Sequence, residues 1–136
     1  MDFNKLLPEL TVSDFEKSLN FYTGIIGFKA EYERKSPRFA FLSLEGSQIM
    51  IQEQSPEDKW DVGELKHPYG RGINFQIDIT DVNKIYDSLK KNNYPVFQQI
   101  EDHFYKENEI VHHERELLVQ DPDGYLLRFS QYIESK

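Results

Sequence analysis

Two stretches of the chain repeat the same spacing of apolar positions. In "TVSDFEKSLNFYTGIIGF", Phe15, Ser18, Leu19 and Tyr22 share one helical face. In "IDITDVNKIYDSLKKNNYP", Val82, Ile85, Tyr86 and Leu89 do the same. Each member of the second set lies 67 residues after its counterpart, and Asp14 and Asp81 keep that offset. The pattern reads as an internal duplication. Ser13 and Glu16 have the spacing of a capping box, with Ser13 as N-cap and Glu16 at the third helical position. Gly24 and Gly27 supply stop signals.

Around the helices the period switches to two, which predicts strands. "LLPELTV" and "GINFQIDI" precede the two helices. "FKAEYERK", "RFAFLSL" and "SQIMIQEQ" follow the first, with Glu45 and Gly46 as a hairpin turn. "PVFQQI", "HERELLVQ" and "YLLRFSQ" follow the second. Between the last two lies "DPDG", a turn in which Pro122 presets φ and Gly124 tolerates positive φ. Each half thus reads β-α-β-β-β, and the fold class is α+β. The expected organisation is a single domain of residues 1–136, built from modules at about 5–54 and 71–132. The polar segment at about 55–70 is expected to be an exposed linker or lid, and "FYKENEIVHH" a further loop.

Strand alternation sorts side chains onto two faces. Ile49, Ile51, Ile73, Phe75, Ile77, Ile79, Leu127 and Phe129 are expected to pack beneath the helices. The opposite face then carries Glu9 and Thr11, Gln48, Met50 and Gln52, Asn74, Gln76 and Asp78, and Arg128 with Ser130. It is rich in amides and holds no obvious general base, which suits binding better than catalysis.

Composition removes several classes of function. The chain has 136 residues, a formal charge of −8 and no basic stripe, which disfavours nucleic acid. Without cysteine there is no disulfide, thiolate nucleophile or zinc-thiolate site. "MDFNKLLPEL" does not read as a signal peptide, and no stretch approaches the roughly 20 apolar residues that span a bilayer. The expectation is a cytoplasmic protein without membrane association. His112 and His113 are adjacent on a strand and face opposite ways, while His67 and His103 fall in loops and are expected to be solvated. "DPDG" lacks the spacing of a calcium loop, and no serine or threonine has a nucleophile-elbow context.

Two βαβββ modules, opened by "VSDFEKSLNFYTGIIGF" and closed by "DPDGY", resemble the vicinal oxygen chelate superfamily of glyoxalases, bleomycin-resistance proteins and extradiol dioxygenases. The resemblance covers roughly Leu6 to Gln131 and implies a curved mixed-sheet cleft completed by a homodimer. The family's metal enzymes place ligands on four strands, at positions that fall here on Leu7, Gln52, Gly72 and Arg128. Leu7 and Gly72 offer no side-chain donor, Gln52 is a weak one, and Arg128 is a permanent cation. "HERELLVQDPDGYLLRF" is similar to the bleomycin-resistance branch, matching at Arg115, Glu116 and Leu117. The residue two places before that arginine is typically a drug-contacting tryptophan in the branch, and here it is His113.

The resemblance therefore implies metal-independent sequestration of a small polar molecule, cationic or aromatic, of the kind of a bleomycin-like antibiotic. It implies no metal, no cofactor and no catalytic residue. The candidate ligand-binding residues are Phe39, Phe41, Met50, Gln52, Trp60, Asn74, His113, Glu116 and Arg128. Arg128 either pairs with a carboxylate such as Glu9 or Glu116 or anchors an anionic or carbonyl group of the ligand. The alternatives are a glyoxalase- or dioxygenase-type enzyme using ligands such as Glu9, Glu53 and a histidine, or a sensor or interaction module with no ligand.

Overall fold

The computed structural model describes Met1–Lys136 and contains two four-stranded mixed sheets, one in each repeat. The first comprises β1 (Glu9–Val12), β2 (Lys29–Lys35), β3 (Arg38–Leu44) and β4 (Ser47–Glu53), in the order β1-β4-β3-β2. The second comprises β5 (Asn74–Asp78), β6 (Gln98–Glu107), β7 (Ile110–Gln120) and β8 (Leu126–Ser135), in the order β5-β8-β7-β6. In both, the strand before the helix runs parallel to the last strand of its module, and the remaining pairs are antiparallel. The two tandem βαβββ modules expected from the duplication are thus present.

The two helices are α1 (Phe15–Leu19) and α2 (Val82–Lys91), and both use the duplicated aspartate as N-cap. Asp14 accepts from the Lys17 N–H at 3.1 Å, and Asp81 accepts from the Asn83 and Lys84 N–H groups. The capping box expected at Ser13 and Glu16 is therefore corrected by one residue. Ser13 instead donates to Asp123 from both its N–H and its hydroxyl, and Glu16 pairs with Arg38. Nor does Gly24 stop the first helix. It lies inside a π-helical continuation, Asn20–Ile26, which ends at Gly27, whose N–H donates five residues back to the Tyr22 carbonyl at 3.0 Å.

Burial follows the two predicted stripes. Phe15, Ser18 and Tyr22 are buried from the first, and Val82, Ile85 and Leu89 from the second. They lie with sheet residues of matching parity: Leu10, Val12, Ile49 and Ile51 in the first module, Ile77, Leu117, Leu127 and Phe129 in the second. Ile73 departs from expectation. It precedes β5 and remains half exposed, because the strand begins only at Asn74. The expected loop "FYKENEIVHH" is also corrected. It forms the ends of β6 and β7, joined by a tight turn at Asn108 and Glu109 in which Asn108 takes φ 56°.

The chain divides into two compact units, Met1–Tyr69 with Asp121–Gly124, and Gly70–Gln120 with Tyr125–Lys136. The DPDG turn thus belongs to the first unit although it lies between two strands of the second. Its aspartates are buried, and each finds donors there. The Tyr22 hydroxyl donates to Asp121 Oδ2 at 2.7 Å, and the Ser13 N–H donates to Asp123 Oδ2 at 3.0 Å. Gly124 sits at φ 102°, and a Cβ there would lie 2.4 Å from the Pro68 Cβ, so both backbone angle and space demand glycine.

Removing the Tyr22 hydroxyl should leave a buried carboxylate oxygen short of a donor. Tyr22→Phe is expected to lower unfolding stability by about 1–3 kcal/mol. The check is the urea midpoint at an unchanged denaturant slope, with the exposed-hydroxyl variant Tyr86→Phe as a near-neutral comparison.

Candidate ligand-binding faces

On the first sheet, the face turned away from α1 carries Phe39 and Phe41 of β3 beside Gln52 and Met50 of β4 as direct cross-strand partners. Thr11 of β1 lies next to Gln52, and Glu9 next to Met50. Gln52, not Glu53, therefore shares this face. Glu53 has the other parity, and its carboxylate accepts from the Arg38 N–H at 2.5 Å. The aromatic rings are closed off. Phe39 and Phe41 are only 2% and 1% exposed. Tyr32 stacks on Phe41 with centroids 5.3 Å apart, Phe3 meets Phe41 edge-on, and the Arg34 guanidinium lies 4.4 Å from the Phe39 centroid. The expectation that these rings stack on a ligand is thus corrected: their neighbours already cover them.

The segment after β4 is also more engaged than an exposed linker. Asp58 accepts from Gln52 Nε2 at 2.9 Å, and Asp61 accepts from the Thr11 hydroxyl at 3.0 Å. Trp60 between them stays 68% exposed. Burial, reinforced by the Asp58 charge, raises the Glu9 carboxyl above its ordinary value, with Arg34 partly opposing.

On the second sheet, the corresponding face is built by β5, β8, β7 and β6 in that order. Gln76 lies opposite Arg128, Arg128 opposite Leu118, and Ser130 opposite Glu116. Asn74 and Asp78 flank Gln76 at strand period and are exposed. Arg128 does not pair with a carboxylate. Its Nη2 donates to Gln76 Oε1 at 2.8 Å, while Nε is buried without an acceptor. Of the two alternatives for Arg128, pairing with Glu116 is thus not the one seen within the second unit.

Glu116 is 1% exposed and takes its donors elsewhere. The Tyr105 hydroxyl donates to Oε1 at 2.9 Å, and Ser130 Oγ lies 3.5 Å from Oε2. His103 Nδ1 stands 3.8 Å from the same Oε1. The Tyr105 phenol is raised by burial first, then by its bond to Glu116 and that carboxylate's charge, with Arg128 opposing. It stays a protonated donor at neutral pH.

Two histidines change place relative to the sequence reading. His103, expected in a loop, lies on β6 within the Glu116 group. His113 leaves the candidate site. It lies three residues from Glu116, an odd number, so an extended strand turns the two side chains to opposite faces. There His113 Nε2 lies 3.1 Å from Asp102 Oδ1, and its ring stacks on Phe104 with centroids 4.5 Å apart. His113 and then Arg115 hold the Asp102 carboxyl below its ordinary value. This side carries a separate hollow of about 280 Å³, lined by Phe104, Val111, His113, Glu134 and Lys136. Tyr105 and His103 were missed because their segment has weak alternation and reads as polar loop.

At two of the positions that the resemblance aligns with the family's metal ligands, the side chains are otherwise engaged. Arg128 presents a guanidinium, and Gln52 turns its amide nitrogen to Asp58. No group of three or more His, Cys, Asp or Glu side chains is arranged to hold a metal ion. The helices are also too short or too polar for any to cross a membrane.

The opposing effects on Tyr105 have testable signs. Glu116→Gln should bring the phenol's ionisation midpoint down toward the ordinary tyrosine value, and Arg128→Gln should push it further up. Ring-carbon NMR shifts followed through alkaline pH read both, and equal midpoints in all three proteins would contradict the described contacts.

Comparisons with known proteins agree with this architecture. The model of the Glyoxalase/Bleomycin resistance protein/Dioxygenase superfamily matches residues 4–129. A superfamily member from Vibrio splendidus is 30% identical, with 93% of this chain and 97% of that one covered and a TM-score of 0.43. A glyoxalase/bleomycin resistance protein/dioxygenase from Alicyclobacillus acidocaldarius is 19% identical, covering 96% and 92%, with a TM-score of 0.66. A virulence protein of Salmonella typhimurium is 18% identical, covering 98% and 100%, with a TM-score of 0.70. No curated protein matches. With its two βαβββ modules and a family match over nearly its whole length, the chain belongs to the glyoxalase/bleomycin resistance protein/dioxygenase superfamily.

Proposed function

We propose that this protein captures a small polar molecule without metal or covalent chemistry, using the face of the second sheet around Arg128. One observation carries the reading. The half-buried guanidinium of Arg128 donates from Nη2 to an uncharged amide, Gln76, while its Nε is buried without an acceptor. Burying a cation costs free energy unless it is paired and hydrogen-bonded. A ligand oxygen, carbonyl or anionic, would supply the missing acceptor, and the planar fork of arginine suits such a group. Gln76, Asn74 and Asp78 offer further polar contacts beside it.

The surroundings favour binding over turnover. Glu116 is fully enclosed by Tyr105 and Ser130 and is not presented to a ligand as a free base. Bleomycin-type antibiotics, amide-rich and cationic, are one class that this acidic protein would accommodate. The proposal includes action as a cytoplasmic homodimer, in keeping with the resemblance.

Isothermal titration with metal-free bleomycin and with sodium benzoate tests the reading. At least one should bind with one site per chain, and Arg128→Gln should weaken it by about tenfold or more, the loss expected for a hydrogen bond to a charged group. Silence from both probes, or affinity unchanged by Arg128→Gln, would overturn it.

A further inference from the structure

An unbroken line of polar contacts runs from solvent to the buried carboxylate beside Arg128. Glu101 Oε2 lies 3.1 Å from His103 Nε2, and the other ring nitrogen, Nδ1, lies 3.4 Å from the Tyr105 hydroxyl. That hydroxyl donates to Glu116 Oε1 at 2.9 Å. The line begins at solvent, with Glu101 55% and His103 32% exposed, passes the partly exposed Tyr105 and ends at Glu116, 2% exposed. Histidine is the side chain whose ordinary titration falls near neutral pH, so the line contains one group able to change charge there.

The groups sharing this face are now countable. From β5 comes Asp78, from β6 Glu101, His103, Tyr105 and Glu107, from β7 His112, Glu114 and Glu116, and from β8 Arg128, Ser130 and Tyr132. His112 is engaged by Glu107 at 2.9 Å. Carboxylates outnumber permanent cations, and Arg128 is the one arginine among these groups. A ligand carboxylate seated on Arg128 would neutralise it and leave Glu116 without nearby positive charge. Nearby anions favour the charged form of an imidazole, so His103 is placed to take up the compensating proton. A neutral carbonyl ligand would place no such demand.

We propose that the ligand of this face is a small carboxylate, captured together with one proton through Glu101, His103, Tyr105 and Glu116. The inference rests on Arg128 being the ligand anchor. It makes the site selective for weak acids and strengthens capture as pH falls through the histidine range.

Titration calorimetry with benzoate and its neutral isostere benzamide, each in phosphate and in Tris buffer near pH 7, tests both parts. Benzoate should bind at least about tenfold more tightly than benzamide, and the buffer dependence of the heat should report uptake of close to one proton. His103→Asn should abolish the uptake while benzoate still binds, and Glu116→Gln should do the same if it folds. In the ligand-free protein, NMR titration of the His103 ring should change its midpoint on Glu116→Gln or Glu101→Gln. Benzoate binding without proton uptake, uptake that survives in His103→Asn, or a His103 midpoint indifferent to both carboxylates overturns the proton-linked capture. Bleomycin binding through Arg128 with benzoate silent overturns the carboxylate class alone and leaves the proposed function standing.

Discussion

Two buried aspartates set the terms for the first half of the molecule. Asp121 and Asp123 lie in a turn that comes late in the sequence, yet their donors are Tyr22 and Ser13 near its start. An ionised carboxylate without donors is costly to bury, so the turn and the first helix must be in place together. The Tyr69 N–H donating to the Asp123 carbonyl at 2.7 Å ties the segment after β4 to the same turn. The first unit is therefore completed by four residues from the far end of the chain, and cutting before Asp121 would strip it of acceptors that Ser13 and Tyr22 use. Ser13 is absent from the cap of α1 for the same reason: its N–H and hydroxyl are both directed at Asp123, and Asp14 accepts the helix N–H instead.

The second half solves a different electrostatic problem. Its face carries a buried glutamate and a half-buried arginine that do not neutralise one another. Glu116 is satisfied by a phenol and a hydroxyl, and Arg128 by an amide. Neutral partners fix both side chains in place while leaving their charges uncompensated. A paired salt bridge would be stable and inert. This arrangement instead leaves Arg128 Nε buried without an acceptor.

Much of the fold was legible because it depends on local periodicity. The 67-residue offset located both helices, and strand parity separated Ile49 and Ile51 from Met50 and Gln52. The misreadings share a physical origin. Ser13 satisfies the sequence rule for a cap as well as Asp14 does, and only the position of Asp123 decides between them. Phe39 and Phe41 have the parity of a ligand face, but Tyr32, Phe3 and Arg34 cover them through cross-strand and terminal contacts. His113 could have been excluded from the sequence alone, because three residues along a strand reverse the face.

The sequence by itself determined the duplicated βαβββ order and the turn chemistry of DPDG. These follow from spacing and residue type, which need no long-range information. Tertiary structure alone decided which neighbours each polar group meets. Hydrogen bonds between residues 99 apart, as for Tyr22 and Asp121, leave no periodic trace in the chain. The same holds for the choice of Gln76 over a carboxylate at Arg128 and for the gathering of His103 and Tyr105 around Glu116. Those partners are set by strand register across a sheet, where one residue of slip would reverse every side chain.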